Sequence, residues 1–181
     1  MGLWIMKLID FSNYLAVLET TRKPWHDKYY ALYSSVLGGV TLDPVLMQVP
    51  IDDHLVHRGD GVFDTFKCVG RAAYNLDAHL RRLARSAEAI GLTWPAGLDD
   101  IRRLTIETLA QAGRECCTGR VMLARGPGSF GVSPYESPDP ALYIVVYAAG
   151  TPFMEAHPGG ARVRRSLVPA KPARFATVKN C

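Results

Sequence analysis

The stretch Gly61–Ile90, with the sequence GVFDTFKCVGRAAYNLDAHLRRLARSAEAI, decides the fold. Its first nine residues alternate between two faces, which is the period of a β-strand. These faces consist of Val62, Asp64, Phe66 and Cys68 on one side and Phe63, Thr65, Lys67 and Val69 on the other. Gly70-Arg71 predicts a turn, and Ala72–Tyr74 predicts a returning strand. The stretch therefore begins with a β-hairpin.

An amphipathic helix follows the hairpin. Asn75 and Asp77 are candidates to cap its first turn, and Gly91 favours its end. Apolar residues recur along it at the spacing of one helical face, at Leu80, Leu83, Ala84, Ala87 and Ile90. A second helix is predicted from about Asp99 to Ala112, because Gly113 stops it and its apolar positions also share a face.

The rest of the chain is predicted to be mostly strand. A short helix is expected within residues 3–18, and residues 126–140 form a loop rich in Gly and Pro. The other predicted strands are Tyr29–Val36, Val45–Val49, Arg120–Arg125, Ala141–Ala148 and Ala161–Val168. Strands, then two helices, then strands again indicate an α+β fold rather than alternating βαβ units.

Composition and charge exclude several classes of protein. With 48% hydrophobic and 21% charged residues, the chain is neither a disordered chain nor a coiled coil. No run approaches the roughly 18 apolar residues of a membrane span, and no signal-peptide pattern is present, so we expect a cytoplasmic protein. The four cysteines show no metal-ligand spacing, and adjacent Cys116 and Cys117 favour partly buried thiols over a redox pair.

The net charge of +4 is concentrated in the last segment of the chain. Residues 151–181 contain six basic residues and one acidic residue. Apolar residues are interspersed among these charges, which favours folded structure over a nucleic-acid-binding arm. We therefore expect neither a nucleic-acid nor a membrane partner.

Three motifs follow one another along the chain: His57-Arg-Gly-Asp-Gly-Val-Phe-Asp64, His79-Leu-Arg-Arg-Leu83 and Val178-Lys179-Asn180. Together with the Arg125-Gly-Pro-Gly128 loop, they resemble the class IV (fold type IV) pyridoxal-phosphate enzymes from about residue 28 to the end. That family includes branched-chain and D-amino-acid aminotransferases and aminodeoxychorismate lyase. The resemblance implies a small N-terminal α+β domain and the first strands of a larger C-terminal domain.

The resemblance also implies a division of the chain. Residues 1–149 would form the N-terminal domain, with 1–27 as an extension, and residues 150–181 would be a linker and the start of an incomplete cofactor-binding domain. Relatives continue well beyond the cofactor lysine, whereas this chain ends two residues after Lys179. We therefore expect a truncated form that is inactive alone.

The resemblance assigns pyridoxal 5'-phosphate as the cofactor and no metal. Lys179 would form the internal Schiff base, a reaction that requires a nucleophilic amine. Arg82 would bind the cofactor phosphate, for which a guanidinium fork is well suited. From the residues alone, a surface lysine is the favoured interpretation of Lys179, and the family resemblance reverses it. The plain alternative for Arg82 is a helix-surface charge paired with Asp77 or Glu88.

Phe63 and Arg125 are the predicted substrate-binding residues. Phe63 would line the substrate pocket, with a core aromatic as the plain alternative. Arg125 would lie near the substrate carboxylate, with a strand-end salt bridge as the equally weighted alternative. We interpret Asp60 as organising its own turn and His79 as a structural hydrogen-bonding residue.

The family assignment predicts an aminotransferase. It would transfer an amino group between an amino acid, of branched-chain or D type, and a 2-oxo acid. The alternatives are an aminodeoxychorismate lyase of the same family and a non-catalytic binding fragment. Relatives imply a homodimer.

Overall fold

The computed structural model describes residues 6–168, 171–172 and 175–181. Within these residues, six strands form one antiparallel sheet: β1 (Tyr29–Ser34), β2 (Gly39–Thr41), β3 (Gly61–Val69), β4 (Ala72–Ala73), β5 (Cys117–Ala124) and β6 (Ala141–Tyr147). The strand order is β2-β1-β6-β5-β3-β4. The α-helices are α1 (Tyr14–Thr20), α2 (His54–Arg58), α3 (Leu76–Ala89), α4 (Leu98–Ala112) and α5 (Phe153–Ala156). Short 3-10 helices lie at Pro24–Lys28, Pro44–Leu46 and Pro134–Glu136. The predicted α+β class is confirmed.

One face of the sheet is covered by α3 and α4. α3 packs on β3, and α4 packs on β1 and β6. Leu80 and Leu83 of α3 and Ile101 of α4 are almost completely buried, as the helical periodicity predicts. Burying one such side chain stabilises the fold by about 1.5–3 kcal/mol. This face therefore holds the main hydrophobic core.

The hairpin is confirmed, but the start of α3 differs from the prediction. Gly70 and Arg71 both have left-handed backbone, at φ 58° and 63°, as the tight β3–β4 turn requires. Asn75 precedes α3 with φ 56°, and its side chain makes no capping hydrogen bond. Its backbone carbonyl instead accepts hydrogen bonds from the first turn, at Ala78 and His79. The predicted side-chain cap is therefore wrong at Asn75.

Two predicted strands are absent from the structure. Pro44–Leu46 forms a 3-10 turn that overlaps the start of the predicted strand Val45–Val49. The Asp43 carboxylate accepts a hydrogen bond from Val45 N–H, and Pro44 fixes the first φ. Residues 161–168 are exposed and irregular, since no neighbouring strand within the described residues offers them hydrogen-bond partners. The helix expected within residues 3–18 is α1, which begins later; residues 3–5 lie outside the described residues.

The opposite face of the sheet is covered over only part of its area. A smaller apolar cluster around Leu32, Ala124 and Tyr143 is covered by side chains such as Met47 and Leu55. Elsewhere on this face the side chains are half-buried and partly polar: Phe63, Thr65, Arg120 and Tyr147. Residues 149–168 leave the sheet after β6 and are exposed. The division between 1–149 and 150–181 stays a prediction.

Candidate active site

Lys179 is held at the outer edge of β3. Its carbonyl oxygen accepts a hydrogen bond from Phe63 N–H at 3.0 Å, and Cys181 N–H donates to the Gly61 carbonyl at 3.0 Å. The backbone N–H of Lys179 donates to the Ser86 hydroxyl of α3 at 3.2 Å. Residues 179–181 thus pair with β3 as a short extended segment, and this pairing fixes the backbone position of Lys179.

A buried carboxylate lies at the centre of the site. Asp64 of β3 is 1% exposed. Its two oxygens accept hydrogen bonds from Nε and Nη2 of Arg82, both at 2.6 Å. His79 Nδ1 lies 2.9 Å from Oδ1, and Lys179 Nζ lies 3.4 Å from the same oxygen. The predicted phosphate-binding arginine and the predicted cofactor lysine are therefore brought together on one carboxylate.

The environment of Asp64 favours its ionised form. Desolvation by burial would raise its pKa, but hydrogen bonds from Arg82, His79 and Thr65 N–H and the charge of Lys179 outweigh that effect. Together they lower the pKa of Asp64 to about 2. Asp64 is thus a fixed negative charge at neutral pH, and it orients the cations around it.

Arg82 retains donors that Asp64 does not use. Its side chain is 45% exposed, and the described residues give Nη1 no hydrogen-bond partner. Neither predicted alternative partner is engaged, because Asp77 pairs with Arg102 at 2.9 Å and Glu88 makes no ion pair within the described residues. Arg81, one position earlier on α3, is exposed as expected.

Asp64 was not identified as a site residue from the sequence. A signal for it exists in the alternation of β3, which puts Asp64 on the core-facing side with Val62 and Phe66. A carboxylate at a core position requires a charged or hydrogen-bonding partner. His79 and Arg82 of α3, three positions apart, are two such partners. The sequence of β3 and α3 together therefore indicates a polar site.

Phe63 lies beside Lys179 on the half-covered side of the sheet. Lys179 Nζ is 5.0 Å from the centroid of its ring, and the guanidinium carbon of Arg120 lies 5.0 Å from the same centroid. Arg120 also lies 5.9 Å from the Tyr147 ring, and its Nε donates to the Thr65 hydroxyl at 3.2 Å. No carboxylate contacts Arg120 within the described residues. Sequence reasoning missed this arginine.

Arg125 is fully engaged in a second ion pair. Its Nε and Nη2 donate to the Asp60 carboxylate at 2.9 and 3.2 Å, and its Nη1 donates to the Gly91 carbonyl at 2.9 Å. Its side chain is 13% exposed. The strand-end salt bridge is thus the arrangement observed, and the substrate-binding role of Arg125 stays a prediction. Asp60 binds Arg125 with its side chain instead of organising its own turn.

The glycine-rich loop folds tightly on itself. A Cβ at Gly126 would clash with the Asp139 carbonyl, and one at Gly128 with the Glu136 carbonyl. His54, fully buried in α2, holds this loop through the Ser129 carbonyl at 3.2 Å from its Nε2. The glycines therefore serve close backbone approach within the loop.

The described residues contain no group of three or more His, Cys, Asp or Glu side chains that could hold a metal ion. Cys117 is buried, and burial raises the pKa of its thiol to about 12, whereas Cys116 is exposed. No helix in the described parts of the chain has the length and apolarity needed to cross a membrane.

Comparisons with known proteins identify relatives of the chain. The chain is 40% identical over 153 residues to "D-amino-acid transaminase, chloroplastic" of Arabidopsis thaliana, which covers 84% of this chain and 40% of that protein. The fold matches the branched-chain amino acid aminotransferase of Escherichia coli with a TM-score of 0.60, at 17% identity over 68% of this chain and 41% of that one.

A third similar protein is a hypothetical aminotransferase from Mycobacterium tuberculosis in its PLP-bound form. It matches with a TM-score of 0.53 and 26% identity, over 65% of this chain and 39% of that one. The chain thus spans about 40% of the length of the curated relative it matches. The model of the amino-transferase class IV family matches residues 61–181, which include β3, α3 and Lys179. The chain therefore belongs to the class IV aminotransferase family.

Proposed function

We propose that the protein is a pyridoxal-phosphate-dependent aminotransferase in which Lys179 holds the cofactor covalently and Arg82 binds its phosphate. The observation that supports this most directly is the approach of Lys179 and Arg82 to the same buried carboxylate, Asp64. Pyridoxal phosphate is an aldehyde that carries a phosphate. The lysine offers an amine for the aldehyde, the arginine offers a cation for the phosphate, and the carboxylate balances the charge of the two cations.

The donor set fits this cofactor. The Lys179 side chain is 35% exposed and its Nζ lies 3.4 Å from Asp64, and Arg82 retains free N–H donors. When bound, pyridoxal phosphate supplies an electron sink for the substrate. The chain's own residues then act on the substrate: Lys179 removes and returns the proton at the α-carbon, and Phe63 limits access of water to the amine.

We further propose that the substrate is a D-amino acid and a 2-oxo acid, with Arg120 binding the substrate carboxylate. The Arabidopsis relative is named as a D-amino-acid transaminase. Arg120 has no carboxylate partner within the described residues, whereas the guanidinium of Arg125 is already engaged by Asp60. The names of the relatives reported above favour amino transfer over the lyase reaction.

Two measurements test the proposal. Because residues 1–181 alone are predicted to be inactive, a longer protein that contains them is purified and incubated with pyridoxal phosphate. It is then reduced with borohydride and digested, and the modified peptide is identified; we expect the adduct on Lys179. Lys179→Ala should abolish the adduct, and Arg165→Ala, which removes an exposed cation of the same segment, should preserve it. A colourless protein without an adduct contradicts the proposal.

Substrate preference is then measured with the D- and L-enantiomers of the same amino acids. Exclusive use of L-amino acids would contradict the D-amino-acid assignment while leaving the cofactor assignment intact. The homodimer and the cytoplasmic location stay predictions; the Arabidopsis relative carries "chloroplastic" in its name.

A further inference from the structure

Lys171 connects the two residues that flank Lys179. Its ammonium group donates to the Val178 carbonyl at 2.8 Å and to the side-chain oxygen of Asn180. Lys179 lies between these two acceptors in the sequence, so one ammonium group is hydrogen-bonded to the residue before Lys179 and to the residue after it. Hydrogen bonds from a charged donor are shorter and stronger than neutral ones.

The same segment is fixed from two other directions. Ser86 of α3 accepts the hydrogen bond from Lys179 N–H, and Phe63 N–H of β3 donates to the Lys179 carbonyl. Val178 is 5% exposed and belongs to the main core. These contacts anchor the backbone to the sheet, while the exposed Lys171 adds contacts to Val178 and Asn180.

We propose that Lys171 is a positioning residue that holds residues 178–180 so that the Lys179 amine stays beside Asp64. The proposal rests on the proposed role of Lys179. The amine sits at the end of four rotatable bonds, so a small rotation of the backbone at Lys179 would carry it away from the carboxylate. A misplacement of about 1 Å can lower a rate by roughly a hundredfold.

The test compares purified protein carrying Lys171→Met or Lys171→Arg with a matched control, Arg165→Met. Arg165 is an exposed cation of the same segment. The readouts are the rate of covalent pyridoxal phosphate incorporation, the pH at which the bound chromophore changes absorbance, and the unfolding temperature. We expect Lys171→Met to slow incorporation about tenfold and to shift the absorbance midpoint. Lys171→Arg should recover much of the rate, because a guanidinium can donate to the same two acceptors.

A second variant separates positioning from simple stabilisation. Asn180→Ala removes one acceptor and leaves Lys171 in place, so it should slow incorporation by a smaller factor. In the double variant, the two effects should not add if they act through one contact. If Lys171→Met fails to fold, Asn180→Ala alone carries the test.

The outcomes distinguish this inference from the proposed function. Incorporation and absorbance unchanged in both Lys171→Met and Asn180→Ala would overturn the positioning role. An adduct on Lys171 itself, or no adduct in the unmodified protein, would instead contradict the assignment of Lys179.

Discussion

Two Arg–Asp pairs lie at the start of β3, with their aspartates four positions apart in the sequence. They differ in how many N–H donors of each arginine stay free. Arg125 donates to Asp60 and to backbone carbonyls, and its side chain is 13% exposed. Arg82 donates to Asp64 with two nitrogens, and its side chain is 45% exposed. The Arg125 pair is saturated, whereas the Arg82 pair retains donors that face solvent.

The acidic partners differ in the opposite sense. Asp64 is almost fully buried and is approached by Arg82, His79 and Lys179. The Asp60 side chain is 24% exposed, and Arg125 is the one ion-pair partner it has within the described residues. A buried carboxylate surrounded by partly accessible cations is suited to share those cations with an anionic ligand. A saturated pair is suited to hold a strand end to a helix end.

The largest expected effect is the loss of the buried charge. Asp64→Asn should lower the free energy of unfolding by about 3 kcal/mol, because it removes the counter-charge of a partly buried ion pair. Asp60→Asn should cost about 1 kcal/mol, since Arg125 keeps its carbonyl acceptors. Denaturant unfolding at neutral pH measures both. Equal losses would show that the two pairs are equivalent in stability.

Acid titration sharpens the same contrast. The pKa of Asp64 is lowered from 3.8 to about 2 in the folded state. A carboxyl with a depressed folded pKa stabilises the fold above its unfolded pKa, and that stabilisation is lost as the pH falls through the folded pKa. We expect about 2 kcal/mol of stability to disappear between roughly pH 4 and pH 2 in the wild type, and to be missing from that window in Asp64→Asn. Thermal unfolding across this range gives the difference; parallel curves for the two proteins would contradict it.

Replacement of each arginine by lysine separates the accessible pair from the saturated one. Arg82→Lys should raise the dissociation constant of pyridoxal phosphate about tenfold, because lysine cannot offer a fork to both Asp64 and a phosphate. Arg125→Lys should leave that constant unchanged. Arg81→Lys, on the same turn of α3 but with no ion pair to Asp64 within the described residues, is the matched control. Equal effects of Arg82→Lys and Arg81→Lys would remove the phosphate-binding role.

The smallest effect concerns the substrate carboxylate. Arg120→Gln should raise the KM for the amino acid several-fold, by about 1 kcal/mol of lost binding, with less change in kcat. Arg125→Gln should change the unfolding temperature more than the KM. The reverse pattern would instead support the substrate-binding role that the sequence suggests for Arg125. Steady-state kinetics of both variants, made in the longer protein that contains residues 1–181, decides between them.

Much of this fold is predictable because the sequence carries local signals for it. The alternation of residues 61–69 and the apolar face of α3 predict the hairpin, the helix and the buried side of each. Those periodicities depend on neighbours one to four positions away, so they survive without tertiary information. The predicted strand at 161–168 fails for the opposite reason, since a strand requires a hydrogen-bonding neighbour that the local pattern cannot supply.

The site is less predictable because its contacts join distant positions. The family resemblance predicts roles for Lys179, Arg82 and Arg125, but nothing in the local sequence points to Arg120. Arg120 and Arg125 are both arginines of the same strand region, and what separates them is the carboxylate that folding brings to each. Asp64 could have been found from its core-facing position, whereas the contacts of Lys171 depend on the path of an irregular segment.

The attachment of the terminal segment to β3 has a consequence for the order of folding. Asp64 and Lys179 are 115 positions apart, and contacts of such separation require closure of a long loop. The hairpin and α3 are joined by short turns, so we expect them to form first and to present Asp64 and Arg82 before Lys179 arrives. Until then the start of β3 has a free edge, which is the hazard of an unpaired strand during synthesis. Arrival of the lysine would bring its amine to Asp64 and protect that edge in the same step.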